Sequence, residues 1–428
     1  MRTIKILLLG TRDSYLLGHA GSEYSAYKLM PEVEVHMVTL RGKNTQSILP
    51  INRKGLSLME KIRFMKYSER FSKLWRTLYC FTHFGCIPIV NKKHPEFCFY
   101  GTEFVPFSFK DILKKLPEDF VPDIIQILWA KGFITSQIVR DLHQSTGAKI
   151  IYSFVDEAAM TGGCHYPVEC KGYLSGCHNC PALSSGKRIA CKQLAIKENN
   201  LKDIPISIIC TPFDYRLAKQ THLFHNAKWH AWVYNPKVTI TPQQEARDLL
   251  QIDRSCFVVL IGSANINNNR KGFRYAMESL NRVSRRIDKL MIVCVGKSDN
   301  SIRQMFPNIN VMCLGYVELE KLYLAFSAAD CFLSTTIADS GPMMVNYSMA
   351  MGTPVVSFPV GIAEDLIVHK VTGYFAAYKN VTELADGIFY IYNLDATSRR
   401  EMAKACIKRI QNLSCNQSRL DFLKELLR

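Results

Sequence analysis

Residues 256–287 read CFVVLIGSANINNNRKGFRYAMESLNRVSRRI. An apolar run from Cys256 ends at Gly262, a polar loop follows, and residues 273–287 then carry an amphipathic helical pattern. A continuously apolar run suits a strand covered on both faces, as in a parallel sheet packed between helices. The stretch therefore predicts one strand–loop–helix unit.

The same alternation extends in both directions. Downstream, LMIVCVG (290–296), INVMCLG (309–315), CFLSTT (331–336) and TPVVSF (353–358) predict strands, with LEKLYLAFSAA (319–329) as a helix between them. Upstream, IKILLLG (4–10), VEVHMVTL (33–40), DIIQILW (123–129), AKIIYSF (148–154) and ISIICTP (206–212) form an earlier series. Two series of such units predict two α/β domains, each a doubly wound parallel sheet. A chain of 428 residues is also too long for one core. The join falls near 235–250, where YNPKVTITPQQ carries two prolines. The expected domains are 1–238 and 239–428, with the final helix packing back on the first. Ligands of open parallel sheets sit beyond the C-terminal strand ends. Two domains facing across a cleft would hold a nucleotide-bearing substrate in one half and an acceptor in the other.

Composition narrows the classes. The chain is 48% hydrophobic and 21% charged, and it has no apolar stretch of the ~18 residues that a membrane span needs. The N-terminal apolar run Ile6–Leu9 is too short for a secretion signal and reads as a first strand, so a cytoplasmic location is expected. In a reducing compartment the 15 cysteines are free thiols, or metal ligands where they cluster. The net charge of +17 favours anionic partners: phosphorylated substrates, anionic lipid or nucleic acid. No nucleic-acid module is present, so nucleic acid is not expected as a partner. Residues 51–76 hold eight Lys/Arg against two Glu, with Leu58, Ile62 and Met65 at helical spacing. That segment is either a basic amphipathic helix lying on an anionic membrane surface or a solvated helix whose apolar stripe covers the sheet.

Residues 339–356, DSGPMMVNYSMAMGTPVV, read as a loop entering a short helix, then a turn feeding a buried strand. Asp339 can accept hydrogen bonds from sugar hydroxyls, and backbone N–H groups at the helix start can hold phosphate or sugar oxygens. The stretch resembles the signature loop of the family 4 retaining glycosyltransferases, built from two Rossmann-like domains in the GT-B fold. Asp339 matches the first of the family's two acids, and Met349, Gly352, Pro354, Val355 and Val356 match its tail. The second acid, which the family sets against the nucleotide ribose, falls on Tyr347. Lys271 matches the family's lysine at the donor pyrophosphate. The arginine that normally follows Gly262 is replaced by Ser263 and Ala264, leaving Arg270 as the substitute. PVGIAEDLIVHKVTGYFA (359–376) is similar to the family's next segment, with Glu364 and Gly373 matching. The resemblance thus implies a donor site at Gly262, Arg270 and Lys271, at Gly341, Pro342, Met343 and Met344, and at Tyr347 and Glu364.

The first half holds MTGGCHYPVECKGYLSGCHNCP (160–181), with four cysteines and two histidines. Cys164, Cys170, Cys177 and Cys180 can close on a structural Zn²⁺; disulfides or simple reduced thiols are the alternatives. With Asp156, Thr161, His165 and Tyr166, the loop resembles one found in a surface-polysaccharide branch of the same family. The histidine that usually precedes Asp156 is Val155 here. Asp156 is a candidate general base or a cap, and His165 a contact to acceptor or donor, or a side chain bonded within its own loop. His83, His94 and His230 are isolated.

The resemblance implies a retaining hexosyltransferase. It would move a sugar from a nucleotide-sugar donor to a lipid-linked oligosaccharide for a surface polysaccharide such as O-antigen, capsule or exopolysaccharide. The protein would act at the inner face of the plasma membrane and would require no cofactor for catalysis. Lys271, Asp339, Asp156 and His165 are the expected catalytic residues. The departures at Val155, Ser263 and Tyr347 leave open an inert glycosyltransferase-like scaffold.

Overall fold

A computed structural model describes residues 2–428 apart from 13–18, 42–44, 53–68, 95, 100–102, 106–107, 130, 266–267, 298–301 and 415–417. The chain divides into two compact units. The first comprises Met1–Cys210, Asp214–His230 and Gln417–Arg428; the second comprises Thr211–Phe213 and Ala231–Asn416. Every strand expected from the two sequence series is present.

The first unit contains β1 (Ile4–Arg12), β2 (Val33–Arg41), β3 (Ile48–Asn52), β4 (Ile89–Val90), β5 (Ile124–Ile127), β6 (Lys149–Ser153), β7 (Leu183–Ser185), β8 (Ile206–Cys210) and β9 (Lys228–Ala231). Its main sheet has the order β3-β2-β1-β5-β6-β8-β9, and β4 pairs with β7 separately. The pairs β2–β3, β1–β2, β1–β5, β5–β6 and β6–β8 are all parallel. Ile6 to Leu9 of β1 are fully buried, as a strand covered on both faces requires. The helices that matter below are α1 (His19–Lys28), α2 (Glu69–Phe84), α3 (Ser136–Thr146) and α4 (Arg188–Leu201).

A buried polar network ties α1 to the sheet. Gln126 donates to Glu23 at 2.7 Å and to Ser153 at 2.6 Å, and the Tyr27 hydroxyl donates to Gln126 at 2.6 Å. The final helix, Arg419–Leu427, belongs to this unit, and Arg419 donates to Glu23 and to the Tyr27 hydroxyl. Most of the basic helix expected over 51–76 lies outside the described residues. From Glu69 onward the chain is helical, and α2 exposes Leu74, Leu78 and Phe81 on successive turns.

The second unit contains β10 (Phe257–Asn265), β11 (Leu290–Lys297), β12 (Asn310–Gly315), β13 (Cys331–Ser334), β14 (Val355–Ser357) and β15 (Gly373–Phe375), in the order β12-β11-β10-β13-β14-β15. All the neighbours are parallel. Around the strand ends stand α5 (Phe273–Val283), α6 (Met343–Ala350) and α7 (Ile362–Leu366). Both sheets are open, parallel and covered on both faces, which makes each unit Rossmann-like. Among the described residues no helix is long and apolar enough to cross a membrane.

Candidate active site

In the second unit the candidate side chains gather beyond the C-terminal ends of β10, β13 and β14. A tight turn, Asn269–Lys271, precedes α5 and ends at Gly272, whose φ is +63°. A Cβ on Gly272 would come within 2.0 Å of the Thr335 carbonyl oxygen, so the turn lies directly on the loop after β13. Two hydrogen bonds pin it there: Ile337 N–H donates to the Arg270 carbonyl at 2.8 Å, and the Thr335 hydroxyl to the Lys271 carbonyl at 3.1 Å.

This contact brings two cations onto one carboxylate. Lys271 Nζ lies 2.5 Å from Asp339 Oδ2, and the Arg270 guanidinium bonds the same oxygen. Arg270 also donates to the Ala338 carbonyl at 3.2 Å, and Asp339 Oδ1 accepts from Gly341 N–H at 3.2 Å. Asp339 is only 9% exposed. Burial works against its ionisation, but the Lys271 and Arg270 charges outweigh this and hold the carboxyl down at about 2. Burial and the neighbouring Arg270 lower the Lys271 pKa, against the pull of Asp339. The cluster carries one more positive charge than negative, on side chains that are largely buried. Two adjacent cations of this kind can neutralise a phosphate or diphosphate.

The other anticipated donor residues are placed unevenly. Gly341 and Pro342 continue the Asp339 loop into α6, where Met343 and Met344 are half-buried against the core. Gly361 starts α7 so close to Asp339 that a Cβ would meet the Asp339 carbonyl oxygen at 2.4 Å. Glu364, in the first turn of α7, is exposed. Gly262 abuts Val295 of β11, whose carbonyl oxygen a Cβ would approach to 2.5 Å, so sheet packing accounts for that glycine. Tyr347 is buried in the core, with its ring beside Tyr234, Tyr323 and Phe326.

In the first unit a cavity of about 70 Å³ lies beyond the ends of β5 and β6, lined by residues that include Glu103, Trp129, Asp156, His165 and Lys197. Asp156 is bonded through both carboxylate oxygens. Its Oδ1 accepts from the N–H of Ala158, the first residue of the short turn Ala158–Met160, at 3.0 Å, and its Oδ2 bonds His165 Nδ1. His165 is held at its backbone as well: its N–H donates to the Cys98 carbonyl at 2.9 Å, and its carbonyl accepts from Glu157 N–H at 2.9 Å. The Trp129 ring stands edge-on to the imidazole, 6.4 Å between centroids. Glu103, Trp129 and Lys197 were missed from sequence. Lys197 sits in an ordinary helical stretch, and only tertiary packing buries it.

The cysteine loop does not form the expected cage. Cys164 is hydrogen-bonded to Cys180, a contact that raises the Cys164 thiol and lowers that of Cys180. Burial pushes Cys177 up to about 11. Cys170 accepts from Gly172 N–H at 3.4 Å, and His178 Nδ1 faces Cys191 Sγ at 3.3 Å. Among the described residues no group of three or more His, Cys, Asp or Glu side chains is placed to hold a metal ion. The tetrahedral ligand set anticipated from the spacing is thus missing from this geometry, and the four cysteines are free thiols packed into the loop. Of the isolated histidines, His230 is buried and stacked on Phe422, while His94 faces Glu96.

Comparison with known proteins bears on both units. Residues 256–393 match the family described as glycosyl transferases group 1. No curated protein matches the chain. Among solved structures it is similar to a glycosyltransferase from Rickettsia africae, at 13% identity and a TM-score of 0.61, covering 100% of both chains. It is also similar to sucrose-phosphate synthase from Thermosynechococcus elongatus, at 14% identity and a TM-score of 0.60, covering 99% of this chain and 97% of that one. A third is Anabaena HepE in complex with UDP and glucose, at 13% identity and a TM-score of 0.59, covering 99% of each chain. The chain therefore has the two-domain GT-B fold, and residues 256–393 of its second unit are similar to the glycosyl transferases group 1 family.

Proposed function

We propose that this protein is a retaining glycosyltransferase that takes a nucleotide-sugar donor at Lys271 and Asp339 and passes the sugar to an acceptor hydroxyl. The observation that carries this reading is the convergence of Arg270 and Lys271 on buried Asp339, inside the segment that matches glycosyl transferases group 1. Departure of a nucleoside diphosphate concentrates negative charge on the leaving oxygens. Preorganised cations stabilise that charge without reorganising. Asp339, kept ionised, is suited to accept from sugar hydroxyls, and Gly341 N–H stands beside it. Asp156 orients the His165 ring through Nδ1, a carboxylate–imidazole pair of the kind that serves as a general base toward a hydroxyl.

The acceptor we infer is a lipid-linked oligosaccharide of surface-polysaccharide assembly, met at an anionic membrane. Two features support a membrane partner: the net charge of +17, and the exposed apolar residues Leu74, Leu78, Phe81, Ile87 and Ile89 near exposed Lys92 and Lys93. Tyr347, buried where the resemblance expects a carboxylate, favours a second reading as a binding subunit without turnover. Thermal unfolding with a panel of UDP-, GDP- and ADP-sugars separates the two, since a ligand bound only by the folded state raises the midpoint. A transferase gives a shift with at least one donor together with nucleoside diphosphate release. Shifts without release, or no shift with any donor, remove the transferase and leave the inert subunit.

A further inference from the structure

We infer that Lys197 is the positioning residue of the Asp156–His165 pair, its buried ammonium clamping from beneath the loop that carries both. This rests on the role proposed for that pair, but the geometry stands without it. Lys197 is 5% exposed, and burial lowers its pKa against the pull of Glu103 and Asp156. A lysine buried without partners is costly, and such a group loses its proton unless acceptors surround it. Here Nζ donates to the Ala158 carbonyl at 2.6 Å and to the Thr161 carbonyl at 2.8 Å, with Glu103 Oε1 at 4.0 Å as its counter-charge.

The two carbonyls belong to the turn between Asp156 and His165. Ala158 is the residue whose N–H donates to Asp156, and the Thr161 hydroxyl donates to the Cys164 carbonyl, one residue before His165. The ammonium thus holds both ends of the segment that sets the distance between carboxylate and imidazole.

The clamp itself is fixed from two helices. Lys197 is on α4, while Glu103 accepts from the N–H of Ser136 on α3 at 2.9 Å and from its hydroxyl. Asn200 of α4 donates to Ser136 Oγ at 2.9 Å, and Arg140 of α3 donates to Asn200 at 3.0 Å. A chain of paired polar groups therefore runs from α3 through Glu103 to the loop. Packing alone does not call for an ammonium here, because an apolar residue of the same length would fill the space. What it supplies is three donors aimed at one turn. The charged groups facing Lys197 are Glu103 and Asp156, with the Cys164 and Cys177 thiols nearby.

The test uses the full chain with ¹⁵N-labelled histidine. The Nδ1–H proton of His165, bonded to Asp156, is assigned by its loss in His165→Asn. In Lys197→Met this proton should exchange with solvent at least about tenfold faster, or vanish, because the loop no longer holds the two groups in register. In Glu103→Gln, which keeps the carbonyl bonds but removes the counter-charge, exchange should rise by a smaller factor. Both should unfold cooperatively, so that the change is read in folded protein. With UDP-glucose as the turnover probe, Lys197→Met should lower kcat and leave the donor KM unchanged. An unaltered His165 signal in folded Lys197→Met overturns the inference. If that variant does not fold, an unaltered signal in Glu103→Gln does so. Absence of turnover in the wild-type chain counts against the proposed function alone, because the imidazole signal does not depend on it.

Discussion

Lys271 and Arg270, neighbours in sequence, meet at a single oxygen of Asp339, 68 residues from Lys271 in the chain. Adjacent side chains normally diverge. The tight turn at 269–271, pressed onto the loop after β13, points both the same way. Removing one cation should therefore leave the fold intact while stripping transition-state stabilisation. Lys271→Ala should lower kcat by about 10²–10³, equivalent to about 3–4 kcal/mol, the range seen when one preorganised electrostatic group is lost. Initial rates of nucleoside diphosphate release measure this. Unchanged turnover would detach the ammonium from the chemistry.

The same cluster predicts a pH dependence of stability. The Asp339 carboxyl is held at about 2, below its ordinary value of 3.8. A carboxyl depressed on folding contributes stability that is present above the unfolded value and is lost as pH falls through the folded one. The window is therefore from about pH 4 to about pH 2. The contribution above it is on the order of 2 kcal/mol. Denaturant unfolding of the wild-type chain and Asp339→Asn between pH 6 and pH 3 should show their difference narrowing as pH falls. A difference independent of pH would remove the ion cluster as its source.

In the first unit, Arg419 donates to Glu23, which is only 2% exposed, and to Tyr27. Arg419→Met would leave the Glu23 carboxylate buried without this counter-charge, at a cost of about 3–5 kcal/mol. Arg419→Met combined with Glu23→Gln should recover much of that, because the stranded charge is gone. Urea unfolding of both single variants and the double variant gives the coupling directly. Additive losses would mean that the final helix is held by its apolar face instead.

The cysteine loop predicts a negative result that is easy to check. Among the described residues no three ligating side chains are placed to hold a metal, so chelator treatment should leave the unfolding midpoint unchanged, and elemental analysis should find no stoichiometric zinc. A midpoint that falls on chelation would mean that the four thiols converge in solution more closely than Cys164 and Cys180 do here.

What could be read from sequence follows from how local each signal is. Continuous apolar runs such as those of β1 and β10 need no context, because a strand buried on both faces has no polar side to disguise it. The edge strands of the first sheet were not readable. β3 carries Pro50 in its middle, which only an edge tolerates, and β9 spells the half-polar KWHA. Lys271 and Asp339 were marked by their setting in recognisable loops, but Arg270 could be assigned to Asp339 only once the turn was seen. Lys197 and Glu103 were invisible, because charged residues in helices and loops are normally solvated and only tertiary packing put these two under the Asp156 loop.

The turn that aims Arg270 and Lys271 can be tested through its glycine. At φ +63°, Gly272 is strained for any other residue, and a Cβ there would also stand 2.0 Å from a backbone oxygen that cannot swing aside. Gly315 is the control: its φ is +70°, but nothing lies within 4 Å of its Cβ position. Gly315→Ala should cost only the left-handed conformation, about 1 kcal/mol, and leave turnover unchanged. Gly272→Ala has the same conformational cost and must in addition push the 269–271 turn off Thr335, carrying both cations away from Asp339. Its stability loss should exceed that of Gly315→Ala by at least about 1 kcal/mol, with turnover falling as far as in Lys271→Ala. Equal losses in the two alanine variants, with activity retained in both, would mean that the cations do not depend on the close approach of turn and loop.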